Sequence, residues 1–218
     1  MNIALFDLDN TLIKGDSDYQ WGNYLVENNY VDPKTYKEKN ENYFEQYRRG
    51  TLCAREFAEF SYEPLTKYDY KTLINIRKKF FEEKIKPLIL PKAVDLIKSH
   101  KEKKDILAIV TATNSFISRV SADYFQINDL LASEPEFIDN KFTGKLLGEP
   151  CFQQGKVKKV KEWIELNCYN HYDEIYFYTD SHNDIKLLEY CTKPVAVDPD
   201  NILRELSKKN NWQIMSLR

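Results

Sequence analysis

Residues Ile3-Ala4-Leu5-Phe6 form a short unbroken apolar run that stops at Asp7, and Asp9 follows two residues later. A run of that length bounded by polar residues reads as a strand buried on both faces, the kind found in the middle of a parallel sheet. Such a strand cannot make a core alone, so the rest of the chain must supply its neighbours and the helices that cover them. The run also places the chemistry. Open α/β sheets bind ligands at the carboxyl ends of their strands, and Asp7 stands at that end. If the backbone stays extended through Leu8, Asp9 points the same way as Asp7. Two carboxylates in one place are costly unless something positive or protic lies between them. Either a divalent metal sits there, or one acid attacks while the other carries a proton.

The expected neighbours come after Pro87. Pro91 through Lys103 predicts a helix with Pro91 in its first turn. Ile106–Val110 predicts a buried strand ending at Thr111, and a helix follows around Phe116–Phe125. Leu130-Leu131-Ala132 reads as a short strand, and Phe137–Leu147, with Asp139-Asn140 and Gly144, as a β-hairpin or flap. Lys156–Leu166 predicts a helix, Ile175–Tyr178 a strand ending at Thr179-Asp180, and Ile185–Tyr190 a further helix. Pro194–Val197 is a strand, Asn201–Lys209 a last helix, and Trp212–Leu217 closes the sheet.

Between Asp16 and Glu83 the texture changes. Trp21, Tyr24, Leu25, Tyr43, Phe44, Tyr47, Phe57 and Phe60 recur at helical spacing among charges, which predicts several amphipathic helices. The economical architecture is α/β: a Rossmann-like parallel sheet built from residues 1–15 and 86–218, with residues 16–85 inserted as a helical cap over the strand ends.

Composition narrows the partners. A formal net charge of -2 gives no electrostatic reason to expect nucleic acid or an anionic membrane. No window is apolar for long enough to span a bilayer, and Asp7 and Asp9 interrupt any secretory signal, so a cytoplasmic location is expected. Cys53, Cys151, Cys168 and Cys191 are scattered without a C-x-x-C pair, and the three histidines are dispersed. Reduced thiols are expected, and a His/Cys metal cluster is not.

Polar residues recur at strand ends and helix starts in a fixed order: Asp7, Asp9 and Thr11, then Thr111, then Lys156 after Gly155, then Asp180 with Asn183 and Asp184. Each has a plain structural alternative. Thr111 suits a helix cap, Lys156 lies among Lys158, Lys159 and Lys161 on what reads as a solvated face, and Asp180 and Asp184 suit a turn and an N-cap. Taken together, Phe6-Asp7-Leu8-Asp9-Asn10-Thr11-Leu12, Ile109-Val110-Thr111-Ala112-Thr113, Gly155-Lys156 and Tyr178-Thr179-Asp180-Ser181-His182-Asn183-Asp184 resemble the haloacid dehalogenase superfamily. Within it the resemblance is to the phosphoserine phosphatase-like subfamily IB, which carries a helical cap after the first motif. Asp16-Ser17-Asp18 and the ending Ile214–Arg218 also resemble bacterial members described as histidinol-phosphate phosphatases.

The resemblance implies a Mg²⁺-dependent phosphatase that hydrolyses a small-molecule phosphate monoester through an aspartyl-phosphate. It implies that Asp7 attacks phosphorus, and that Asp9 protonates the leaving alkoxide and then deprotonates water. Asp7, the main-chain carbonyl of Asp9, Asp180 and waters would hold the metal, with Asp184 either a ligand through water or an orienting acid and Asn183 orienting the set. Thr111, the Ala112 N–H and Lys156 would bind the phosphoryl oxygens. Of other classes, a phospho-accepting receiver protein would lack both an acid two residues beyond Asp7 and a helical cap. A phosphotransferase would share the covalent intermediate.

Phosphoserine phosphatases carry a Glu nine residues after the nucleophile and a cap arginine against the substrate carboxylate. Here Asp16 stands at that position, with Asp18 close by, and Arg48, Arg49, Arg55 and Arg77 are the available arginines. Histidinol phosphate, with an amine and a ring but no carboxylate, suits Asp16, Asp18 and the ring-rich segment Tyr19–Tyr24, and phosphoserine is the alternative. The same acids also suit capping of the first inserted helix.

Overall fold

A computed structural model of the chain describes residues 1–169 and 171–218. The apolar run is β1 (Ile3–Phe6), and it lies between two parallel partners, β2 (Ile106–Asn114) and β5 (Ile175–Thr179). Beyond β2 come β3 (Asp129–Ile138), parallel, and β4 (Lys141–Leu147), antiparallel at the edge. Beyond β5 come β6 (Lys193–Val197) and β7 (Gln213–Met215), both parallel, so the order is β4-β3-β2-β1-β5-β6-β7. This is the α/β architecture expected. One strand is longer than its apolar run: β3 continues past Ala132 to Ile138, because its second half forms a hairpin with β4 through Asp139 and Asn140, both at positive φ.

Alternation along β1 divides the core. Ala4 and Phe6 face a cluster that includes Ala93 and Ile97 of α5 (Pro91–Glu102) and Phe116 and Ile117 of α6 (Ser115–Tyr124). Ile3 and Leu5 face α7 (Gln154–Leu166), α8 (Ile185–Tyr190) and α9 (Asn201–Lys209) through Val160, Leu187 and Leu203.

The segment between β1 and α5 holds α1 (Ser17–Glu27), α2 (Pro33–Arg48), α3 (Ala54–Tyr62) and α4 (Tyr70–Phe80). Asp16, Asp32 and Asp69 cap α1, α2 and α4, each accepting from a backbone N–H three residues on. The apolar cluster on the Phe6 face runs without a break into this segment. Trp21 packs edge-on to Phe80 (5.1 Å between centroids) and Phe116 (6.4 Å), so α1 and α4 are fused to the sheet layer.

Candidate active site

The site is built where β1 ends. The Asp7 N–H donates to the Tyr178 carbonyl (2.9 Å), so strand pairing continues to Asp7 itself. The backbone then turns: the N–H groups of Thr11, Leu12 and Ile13 all reach the Leu8 carbonyl, and Asn10 takes φ 55°. The turn brings Thr11 back under Asp7. Its hydroxyl accepts from the Asp180 N–H (3.1 Å) and has one proton for either Asp7 Oδ2 (3.3 Å) or Asp180 Oδ1 (3.4 Å). Thr11 therefore ties the ends of β1 and β5 together.

Lys156 is 2% exposed and its Nζ bridges Asp7 Oδ1 (2.9 Å) and Asp184 Oδ2 (2.7 Å). It is thus inside the molecule, while Lys158 two residues on pairs with Glu149 at the surface. Gly155 makes this placement possible, since a Cβ there would collide with the Pro150 carbonyl oxygen. Burial alone would lower the Lys156 pKa, but Asp184 and Asp7 outweigh it and hold the ammonium charged. Thr179 Oγ1 donates to the same Asp184 oxygen (2.7 Å).

One cation does not neutralise this set. Burial, aided by Asp184 and Asp9 and opposed by Lys156, pushes Asp7 up to about 7. Burial and then Asp7 and Asp184 push Asp180 well above the carboxylate range. Among the described residues no three His, Cys, Asp or Glu side chains converge as a metal cage. The expected donor set has only two side-chain carboxylates, from Asp7 and Asp180, and a main-chain carbonyl from Asp9. That set, all oxygen and short of positive charge, fits Mg²⁺, which keeps waters and takes one or two carboxylates. It does not fit a soft metal.

Asp9 is held by donors from two segments. Its Oδ1 accepts from the Ser17 N–H (2.6 Å), and its Oδ2 from Thr113 Oγ1 (2.8 Å) and Thr111 Oγ1 (3.3 Å). Thr111 is fully buried and its hydroxyl also accepts from the Thr113 N–H (3.1 Å), so it sits one step back, supporting Asp9. Ala112 and Thr113 line the cavity instead. The sequence motifs assign Thr113 no role, although a strand places residues 111 and 113 on one face.

Helices α1, α2 and α3 roof a cavity of about 50 Å³ whose floor is Asp7, Asp9, Ala112 and Thr113. That is room for a few water molecules. Asp16 and Asp18 are in its wall with the rings of Tyr19, Phe44, Tyr47 and Phe57. Asp16 both lines the cavity and caps α1, accepting from the Tyr19 N–H (2.8 Å), so the two expected roles coincide in one side chain. Burial, with Asp9 adding, pushes it up to about 7. Asp18 accepts from Asn114 Nδ2 (3.2 Å), and burial with Asp16 and Asp9 pushes it well above the carboxylate range.

Among the described residues, no arginine or lysine lines this cavity. Arg48 pairs with Glu45 (3.0 Å), Arg55 donates to the Gly148 carbonyl (3.0 Å), and Arg77 donates to the Phe116 carbonyl (2.7 Å). Arg49 is exposed. Asn183 reaches out of the core to the Tyr47 carbonyl on α2 (3.2 Å), and His182 turns away to Asp200 (2.8 Å).

Known proteins resemble the chain in sequence and in fold. The family model described as haloacid dehalogenase-like hydrolase matches residues 4–189. A histidinol-phosphatase of Neisseria meningitidis is 33% identical over 100% of this chain and 99% of its own length. A phosphoserine phosphatase of Mycobacterium tuberculosis is 26% identical over 99% of this chain and 70% of its own. The crystal structure of a protein of unknown function from Bordetella pertussis superimposes with a TM-score of 0.93 at 38% identity, covering 100% of this chain and 99% of that one. A substrate-bound phosphoserine phosphatase shares the fold at TM-score 0.69 and 16% identity, over 94% and 89% of the two chains.

Proposed function

The chain belongs to the haloacid dehalogenase-like hydrolase family, and we propose that within it this phosphatase acts on a small, cationic, carboxylate-free phosphate monoester, histidinol phosphate being the best fit. The observation that carries the substrate class is the lining of the cavity: two further acids, Asp16 and Asp18, beside Asp7 and Asp9, several rings and no cation among the described residues. A substrate carboxylate would be buried against Asp16 and Asp18 with nothing to pair it, whereas an amine would give these two buried acids the positive partner they lack.

In the proposed reaction Asp7 attacks phosphorus, the ester oxygen takes a proton from Asp9, and an aspartyl-phosphate remains on Asp7. Water then attacks phosphorus, gives its proton to Asp9, and Asp7 leaves as the carboxylate. Lys156 fixes Asp7 Oδ1 and supplies positive charge beside the transferring group. Thr113 suits the two protonation states of Asp9, since a hydroxyl accepts as readily as it donates. Mg²⁺, held by Asp7, Asp180 and the Asp9 carbonyl, would neutralise the phosphoryl oxygens and ease the approach of the dianion. Residues 16–85 serve as the cap.

The test is a purified-enzyme comparison of histidinol phosphate, phosphoserine and an aryl phosphate in Mg²⁺. The proposal expects kcat/KM for histidinol phosphate to exceed that for phosphoserine by roughly 100-fold or more. Equal or better use of phosphoserine would overturn it.

A further inference from the structure

Among the described residues, five buried side-chain polar atoms have no hydrogen-bond partner: Trp21 Nε1, Ser61 Oγ, Arg77 Nε, Trp163 Nε1 and Ser207 Oγ. Of these residues only Ser61 lines the cavity above Asp7 and Asp9. It stands on α3, is 5% exposed, and faces the same space as Asp18 and Asn40. A serine inside a helix ordinarily satisfies its hydroxyl on the carbonyl four residues back. That would be Phe57, and Ser61 makes no such bond. Leaving a buried hydroxyl unpaired is unfavourable, and the natural partner at this place is a ligand.

Its surroundings limit what that ligand group is. Asn40 donates to the Tyr19 carbonyl (3.1 Å) and to Asn23 Oδ1 (3.4 Å), and makes no bond to Ser61. The approach of Asn40 is itself built in: a Cβ on Gly22 would overlap its carboxamide. The acids Asp16 and Asp18 attract the positive end of a substrate, while Ser61, neutral and able to donate or accept, suits a ring nitrogen in either tautomer. The aromatic lining from α2 and α3, Phe44 and Phe57 among it, supplies flat apolar surface for such a ring.

We propose that Ser61 is a specificity-determining residue: its hydroxyl receives a ring nitrogen of the leaving group, while Asp16 and Asp18 receive the amine. This rests on the substrate class proposed above and adds to it the side chain that distinguishes a nitrogen heterocycle from a plain amino alcohol. Ser61 takes no part in bond making or breaking.

The experiment compares histidinol phosphate with phosphoethanolamine, which keeps the amine and lacks the ring, on wild type, Ser61→Ala and Ser61→Thr. Wild type should prefer the ring substrate. Ser61→Ala should raise KM for histidinol phosphate roughly tenfold, with kcat within about twofold and phosphoethanolamine kinetics unchanged. Its Tm should be equal or higher, because an unpaired hydroxyl is lost. Ser61→Thr, which keeps the hydroxyl, should retain part of the preference. If wild type prefers the ring substrate but Ser61→Ala shifts both substrates equally or neither, the role of Ser61 is overturned and the proposed substrate class stands. If wild type prefers neither amine-bearing ester over an aryl phosphate, the substrate class falls and the role of Ser61 with it.

Discussion

Two buried polar clusters sit on the same sheet and are treated in opposite ways. On the face covered by α5, His100 Nδ1 pairs with Asp105 Oδ2 (2.8 Å), His100 Nε2 meets the Tyr178 hydroxyl (2.9 Å), and Asp105 Oδ1 accepts from the Asn2 N–H (2.8 Å). Burial would raise the Asp105 pKa, but its bonds to His100 and Asn2 win and hold it below the ordinary carboxylate range. At the carboxyl ends of β1 and β5, by contrast, Asp7, Asp16, Asp18 and Asp180 are all pushed upward, with Lys156 the cation among them. The first cluster is complete and fastens the beginnings of β1 and β2 to α5. The second is short of positive charge, which a structural cluster would not tolerate and which the proposed cationic ester and metal would supply.

The contrast can be broken by exchanging loss of activity for loss of stability. Asp7→Asn should lower kcat by roughly 10³-fold or more, since the nucleophile is removed, and phosphate release with saturating substrate measures it. Lys156→Met leaves Asp7 and Asp184 buried without their cation, and should cost about 3–5 kcal/mol in denaturant unfolding as well as activity. Asp105→Asn should cost about 2–4 kcal/mol and leave kcat/KM within a few-fold, because neither His100 nor Asp105 lines the cavity.

The two clusters also titrate in opposite senses. Asp105, lowered in the folded state, contributes stability at pH above the ordinary carboxylate pKa that is lost as pH falls through its depressed value. Asp16, raised from 3.8 to about 7, contributes stability that is fully present below the ordinary carboxylate pKa and lost as pH rises to about 7. Its share of the unfolding free energy should therefore decline between those two values and level off above about 7. The decline should be shallower in Asp16→Asn, which keeps a competent N-cap for α1.

Much of this contrast is legible in the sequence. β1, β2, β5 and β6 announce themselves as apolar runs stopped by polar residues, and Asp7, Asp9, Lys156, Asp180 and Asp184 come together as the motif order implies. The middle of β3 is hidden because residues 133–136, with Pro135, have neither an apolar run nor clean alternation, whereas the hairpin from Phe137 into β4 is the one that Asp139-Asn140 predicts. Ser61 and Tyr47 are hidden for another reason. Helical spacing puts a residue on the inner face, and it does not say whether that face meets another helix or a cavity. Nor does it say that Arg48, Arg55 and Arg77 turn to a neighbouring acid or to carbonyls, which is what leaves the cavity without one of these arginines in its lining.

The central claim is that the acids under the cap are kept at the expense of stability in order to hold a cationic substrate. The most direct measurement is Tm and kcat/KM for histidinol phosphate on one preparation of Asp18→Asn. Replacing a burial-raised carboxyl by an amide that can still meet Asn114 should raise stability by about 0.5–1 kcal/mol and lower kcat/KM roughly tenfold or more, mainly through KM. A variant that is less stable than wild type, with kcat/KM unchanged, would contradict the account.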